Sequence, residues 1–299
     1  MYRTYSEIRQ AVQRLDHIKT IAVAMADDVS VLSALKEAHG HGLAEALLVG
    51  DGERIRAIAG QVGFAVRDEQ IIEALTPEEI ARQAVELVRT GQAEVLMKGH
   101  ISTPILMKAV LDRNKGLRKG DVLSHVAVSE IPTYPKLQLL SDGGINILPP
   151  LETKIAILHN AVYAARHLGV TTPKIAALCP IETVNPKIAE TLDAAELAKM
   201  AAAGNFGDVI LEGPIAMDVA LSAQAAERKG IASRIAGDVD IILVPNITAG
   251  NGIIKVLMFL ANARVGGVVI GAKVPIILLS RADSPEEKLN SIALSILMC

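Results

Sequence analysis

Ser280 and Arg281 stand directly after the β-branched run 276–279, where a buried strand would hand over to a loop. An arginine at a strand's carboxyl end suits bidentate capture of a phosphate. A serine hydroxyl beside it can donate to a developing oxyanion. The plainer reading of the same stretch is a surface ion pair between Arg281 and Asp283. A carboxylate follows at Glu287, a candidate base, but it closes Ser284-Pro285-Glu286-Glu287, which repeats the pattern of Thr76-Pro77-Glu78-Glu79. Each has a hydroxyl residue to cap a helix, a proline at the first helical position and a glutamate two residues further on, a capping box. Glu287 is thus accounted for as a helix cap, and a role as base competes with that account.

Four further loops combine small and polar residues after apolar runs. They are Lys98-Gly99-His100-Ile101-Ser102-Thr103, Ser141-Asp142-Gly143-Gly144-Ile145-Asn146, Glu212-Gly213-Pro214, and Pro245-Asn246 continuing to Gly250-Asn251-Gly252. Glycine there lets a ligand approach the backbone, and amides at a helix start favour an anion. The alternative for the 245–252 loop is an ordinary strand-to-helix turn punctuated by Asn and Gly. Several familiar signatures are missing: no G-x-G-x-x-G follows the first strand, and there is no Walker A or G-x-S-x-G sequence. The seven histidines are scattered, without metal-ligand spacing, so no metal is expected.

The elements that would position these loops alternate. Strands are predicted at 21–26, 46–50, 95–97, 122–128, 136–140, 175–178, 209–211, 241–244 and 276–279. A helix that either Asp27 or Asp28 can cap is predicted to follow 27–28, with Val31, Leu32, Leu35 and Ala38 on one face. Further helices are predicted at 53–59, from 76 to about 89, 103 to near 116, 151–168, 189–203, 217–229, 252–263 and 285–297. This density of strand–helix alternation implies a three-layer α/β architecture with mostly parallel sheets. The stretch 122–140 offers two strands with no helix between them, the one break in the rhythm. With 299 residues, two domains fit better than one, cut near 129–135: residues 1–130 plus 284–299, and residues 131–283. In such sheets ligands sit beyond the carboxyl ends of the strands, which is where the loops above fall.

Composition narrows the function. The net charge is −3 with both signs well mixed, and aromatics make up 2% with no Trp. Neither a phosphate-backbone grip nor base-stacking platforms are available, so nucleic acid is not expected as a partner. No apolar run approaches the ~20 residues of a bilayer span, and the N-terminus carries no signal core. Two cysteines fit a reducing compartment, so a cytoplasmic protein is expected.

In order, these loops resemble those of the phosphate acetyl/butyryl transferases. Lys98–Thr103 resembles that family's small-residue loop, Ser141–Asn146 its second loop with recurring Asp and Asn, and 212–218 its acidic-Gly-Pro segment. Pro245-Asn246 with Gly250-Asn251 resembles its P-N/D-x-x-x-G-N loop, and Ser280-Arg281 its terminal Ser-Arg pair. Within the family the chain looks most like the butyryl branch. The resemblance implies two domains with a cleft between them, as in the isocitrate/isopropylmalate dehydrogenases, and a homodimer or larger homo-oligomer. It implies butyryl exchange between coenzyme A and inorganic phosphate in a ternary complex, with acetyl exchange or non-catalytic acyl-CoA binding as alternatives. Coenzyme A is then a substrate and no cofactor is expected. Ser280, Arg281 and Glu287 become the expected catalytic residues. Ser102, Thr103, Ser141, Asp142, Asn146, Pro245, Asn246, Gly250 and Asn251 become the expected substrate-binding residues. Where acetyl members carry an Asp base, this chain has Glu287.

Overall fold

Apolar runs rich in Ala, Ile, Leu and Val become strands buried on both faces, the pattern of parallel sheets. The computed structural model describes residues 1–120, 122–278 and 283–299. The first stretch holds α1 (Tyr5–Gln13), β1 (Lys19–Ala24), α2 (Val29–Gly40), β2 (Ala44–Gly50), α3 (Gly52–Val62), β3 (Ile71–Glu73), α4 (Pro77–Arg89), β4 (Val95–Lys98) and α5 (Thr103–Val110). Local chemistry sets the helix starts. Asp28 caps α2 through the amides of Ser30 and Val31, and Asp51 caps α3 through that of Arg54. Thr76 accepts from the Glu79 amide ahead of Pro77. The reciprocal half of that box is not made, because the Glu79 carboxylate accepts from Gln83 instead.

The middle of the chain holds β5 (Ser124–Glu130), β6 (Gln138–Ser141), α6 (Leu151–His167), β7 (Lys174–Leu178), α7 (Ala189–Ala202), β8 (Ile210–Ile215), α8 (Met217–Leu221), α9 (Ala223–Arg228), β9 (Ile241–Leu243) and α10 (Ile247–Leu260). Its strands run in the order β5-β6-β9-β7-β8. The β5–β6 pair is antiparallel and the other pairs are parallel, so the helix-free stretch forms a hairpin. The helix expected over 217–229 is two short ones. Ser222 lies between them with extended backbone (φ −141°) and caps α9 with its hydroxyl. The helix expected from Gly252 begins five residues earlier, since Asn246 caps it by accepting from the Ala249 amide at 3.0 Å.

The chain returns through β10 (Arg264–Ile270), β11 (Ile276–Leu278) and α11 (Pro285–Leu297). Together with the first stretch these give strand order β3-β2-β1-β4-β11-β10. All pairs are parallel except β10–β11. β10 is absent from the predicted strands, and Gly266-Gly267 interrupts its apolar residues. Gly266 is needed for packing: a Cβ there would lie 2.7 Å from the Tyr5 hydroxyl and 3.0 Å from the α11 backbone. Chain contacts divide the fold into two compact units, Tyr5–Asp121 with Val265–Cys299, and Met1–Thr4 with Val122–Arg264. No helix among the described residues is long and apolar enough to cross a membrane.

Candidate active site

In the 122–264 unit, the end of β6 and the start of α10 are brought together backbone to backbone. A Cβ on Gly250 would stand 2.8 Å from the Gly143 Cα and 2.9 Å from the Asp142 carbonyl oxygen. A Cβ on Gly143 would meet the Ile254 side chain at 2.6 Å and the Asn251 nitrogen at 3.5 Å. At Gly250 the nearest neighbours are backbone and only glycine permits this approach, whereas at Gly143 the nearest atom is the movable end of the Ile254 side chain. The structure therefore groups Ser141, Asp142 and Asn146 with Pro245, Asn246, Gly250 and Asn251.

Within that group the side chains divide their work. Asp142 is 2% exposed. Its Oδ1 accepts from the amides of Gly144 (2.8 Å) and Ile145 (3.0 Å), and its Oδ2 from the Asn146 amide (3.1 Å) and side-chain Nδ2 (2.6 Å). The Asn146 Nδ2 also donates to the Leu123 carbonyl at 2.8 Å. The buried Ser141 hydroxyl donates to the His125 carbonyl at 3.0 Å. These three build the loop. Asn251 is exposed at the helix's first turns, beside Gly250.

One buried ion pair near this group was not anticipated from sequence. Lys154 on α6, its side chain 8% exposed, meets Asp193 Oδ2 at 2.6 Å. The two line a small void with Val244 and Pro245. A signal was present: Lys154 sits three, four and seven residues before the buried Ile157, Leu158 and Ala161, on one helix face. Cys179, just past β7, is 4% exposed, and burial pushes its thiol up to about 11.

In the other unit, the carboxyl ends of β1, β2 and β4 carry the second group. Gly99 is pressed on β1: a Cβ would lie 2.0 Å from the Met25 carbonyl oxygen and 2.7 Å from that of Ala24. The amides of Gly99 and His100 donate to the carbonyls of Ala24 and Met25 respectively, at 2.8 Å each. The Lys98 ammonium donates to the carbonyls of Gly99 (3.1 Å) and Ile101 (3.2 Å). Ser102 stands at the N-cap of α5 and Thr103 begins it. Both are exposed, and Ser102 makes no side-chain cap bond. Asp27, overlooked as a site residue because it reads as a cap, points inward with its side chain 7% exposed. Its Oδ2 meets Arg54 at 3.1 Å, while its Oδ1 is buried with no hydrogen-bond partner among the described residues. Burial pushes the Asp28 carboxyl up, but hydrogen bonds from Ser30 and Val31, with His100 nearby, outweigh it and leave the group below its usual range.

Glu287 heads α11, and its Oε2 accepts from the Ser284 amide at 2.5 Å while Ser284 Oγ accepts from the Glu287 amide at 3.3 Å. The full capping box is made. Ser280 and Arg281 lie outside the described residues. No group of three His, Cys, Asp or Glu side chains among the described residues is placed to hold a metal ion.

Known proteins match this chain along nearly its whole length. The family described as phosphate acetyl/butaryl transferase matches residues 66–296. The phosphate butyryltransferase of Clostridium acetobutylicum is 42% identical over 298 residues, 100% of this chain and 99% of that protein. The phosphate acetyltransferase of Thermotoga maritima is 43% identical over 277 residues, 93% of this chain and 94% of its own. The crystal structure of a branched-chain phosphotransacylase from Enterococcus faecalis V583 superposes with a TM-score of 0.82 at 33% identity, covering 94% of this chain and 99% of that one. The match over most of the chain and the identity along its whole length show that this chain belongs to the phosphate acetyl/butyryl transferase family of acyltransferases.

Proposed function

We propose that this chain is a phosphate butyryltransferase, catalysing butanoyl-CoA + phosphate = CoA + butanoyl phosphate. The observation that carries the reading is the 42% identity to a phosphate butyryltransferase over the full length of both chains. The acetyl alternative rests on the 43% identity to a phosphate acetyltransferase. One methylene in an acyl pocket discriminates by only ~1–3 kcal/mol, so overlap between the two substrates is expected.

In the forward direction a phosphate oxygen attacks the thioester carbonyl carbon. The tetrahedral oxyanion collapses, the C–S bond breaks, and coenzyme A leaves as thiolate while the new P–O–C bond remains. Arg281 is assigned to phosphate. Ser280 or an amide near Asn251 is assigned to the oxyanion, where a donor contributes about 3 kcal/mol in comparable sites. Ser102, Thr103, Asn246 and Asn251 are assigned to substrate contacts, and Ser141, Asp142 and Asn146 to holding the loop that faces Gly250. In reverse, a carboxylate takes the thiol proton, and Glu287 is the candidate. Its Oε2 accepts from the Ser284 amide, and Oε1 is not part of that cap, so a carboxylate can serve both as cap and as proton acceptor. Glu287→Gln keeps a cap acceptor but not the proton acceptor. A melting point unchanged within about 2 °C alongside a ~10²-fold loss in thiol-consuming turnover supports the assignment, and full activity removes it.

A cytoplasmic location is part of this proposal, supported by two free thiols, and a homo-oligomer is part of it on the family resemblance alone. The test is phosphate-dependent release of free thiol from butyryl-CoA and acetyl-CoA, side by side. Faster release from butyryl-CoA supports the reading. The opposite ratio moves the chain to acetyl transfer, and no release by folded protein leaves acyl-CoA binding without turnover.

A further inference from the structure

The ends of β7, β8 and β9 and the starts of α8 and α10 border a second feature of the 122–264 unit. A shallow pocket of about 540 Å³ opens between Leu178 and Pro180 after β7, Met217 at the start of α8, Pro245 after β9, and Ala249 and Ile253 on α10. Ala249 and Ile253 are four residues apart and share one helix face. Among the described residues the one charged side chain on the rim is Asp218, and it is turned to Lys229 at 2.8 Å. No Lys, Arg or His among the described residues lines the pocket.

That wall chemistry selects the occupant. Inorganic phosphate and the phosphates of coenzyme A would find no cation there. The pantetheine arm carries two amides and a hydroxyl that need polar partners, while the lining side chains offer mainly carbon and sulfur. An alkyl chain needs only carbon contacts. The pocket also shares Pro245 with the 245–251 loop, and the Ala249 amide is the one held by Asn246. A thioester lying against Asn246–Asn251 would have this apolar wall within reach of its acyl chain.

We propose that this pocket binds the acyl chain of the acyl-CoA substrate, with Ala249, Ile253 and Met217 setting its length. The proposal rests on the acyl-transfer reading above and adds which residues decide the acyl group. Each buried methylene is worth roughly fourfold, so the two that separate butyryl from acetyl amount to about fifteenfold.

The test compares kcat/KM for acetyl-CoA and butyryl-CoA in wild type, Ala249→Leu and Ile253→Ala, with far-ultraviolet circular dichroism to confirm folding. Ala249→Leu projects three more carbons from the α10 wall into the pocket and is expected to lower the butyryl-to-acetyl ratio about tenfold. Ile253→Ala strips one wall and is expected to lower it about fivefold. Ratios within twofold of wild type in both folded variants overturn the proposal. So does a parallel rise in KM for free CoA and both thioesters, which assigns the pocket to the pantetheine arm. If wild type releases no thiol from either substrate, acyl transfer itself fails. The pocket is then judged by equilibrium dissociation constants for butyryl-CoA and acetyl-CoA: the proposal stands if the variants erase a butyryl preference, and falls if there is none to erase.

Discussion

Replacing Asp142 by asparagine isolates what its carboxylate does. Four N–H groups converge on its two oxygens, two on each, at 2.6–3.1 Å. An amide has one oxygen, so whichever way the substituted side chain turns, two donors face an NH2 group. The variant loses two charge-assisted bonds, each worth about 1.5–3 kcal/mol, and gains a donor–donor conflict. Gly144 is exposed and Asn146 half-buried, so water recovers part of this, and about 3 kcal/mol is the expected net cost. For a unit of this size that is roughly a 10 °C fall in melting temperature, read by differential scanning calorimetry. Ser141→Ala, which removes one neutral bond to the His125 carbonyl, sets the scale at about 1 kcal/mol. Melting of Asp142→Asn within about 2 °C of wild type refutes the claim that this carboxylate organises the loop. Unchanged melting with lost turnover would give Asp142 a chemical role instead.

Other substitutions test the packing and the charges. Gly99→Ala places a methyl 2.0 Å from a backbone carbonyl that cannot swing aside, and it should cost about 3 kcal/mol; a wild-type melt would show that the β1–β4 approach is loose. Lys136→Met removes the ammonium 2.6 Å from Asp240, whose side chain is 4% exposed. It should lower stability by about 3 kcal/mol, with Lys136→Met/Asp240→Asn recovering much of it; equal melts for the two would disprove the pairing. Asp28, with its folded pKa below the usual value, contributes stability present above about pH 4 and lost as pH falls through its folded pKa. Asp28→Asn should therefore be less stable than wild type at neutral pH, with the gap closing under acid titration; a gap that stays constant down the whole titration contradicts this.

Much of the strand set was legible because buried parallel strands are written as short apolar runs, as in β1, β7 and β9. The hairpin β5–β6 was legible for a related reason, that nothing between its strands has helical spacing. Two misses fall at glycines. Gly266-Gly267 interrupts the apolar residues of β10, which the prediction left out, and Gly266 serves close packing on Tyr5. Gly250-Asn251 looked like loop, but Asn246 had already capped the helix. Asp27 and Asp28 were equivalent as caps in sequence. Only the tertiary structure turns one to the helix and the other inward to Arg54. The meeting of Gly143 with Gly250 depends on strands distant along the chain and leaves no local trace. The bonds that Ser141, Asp142 and Asn146 make within their own loop also required coordinates, since a carboxylate that braces a loop is spelled like any other.

The placement of β11 bears on how the chain can fold as it is made. β11 pairs with β4, matching Ile276 to Leu96 and Leu278 to Lys98, and α11 packs nine consecutive buried residues behind it. While a ribosome is still translating the middle of the chain, β4 has an unsatisfied edge and α1 and α2 lack the helix they pack on. The 122–264 unit, by contrast, has every one of its strands before β10 emerges. Nascent chains fold domain by domain as their elements become available, so the interior unit should mature first. The amino-terminal half would then wait, edge open and prone to pairing with other chains, for the last strand to arrive.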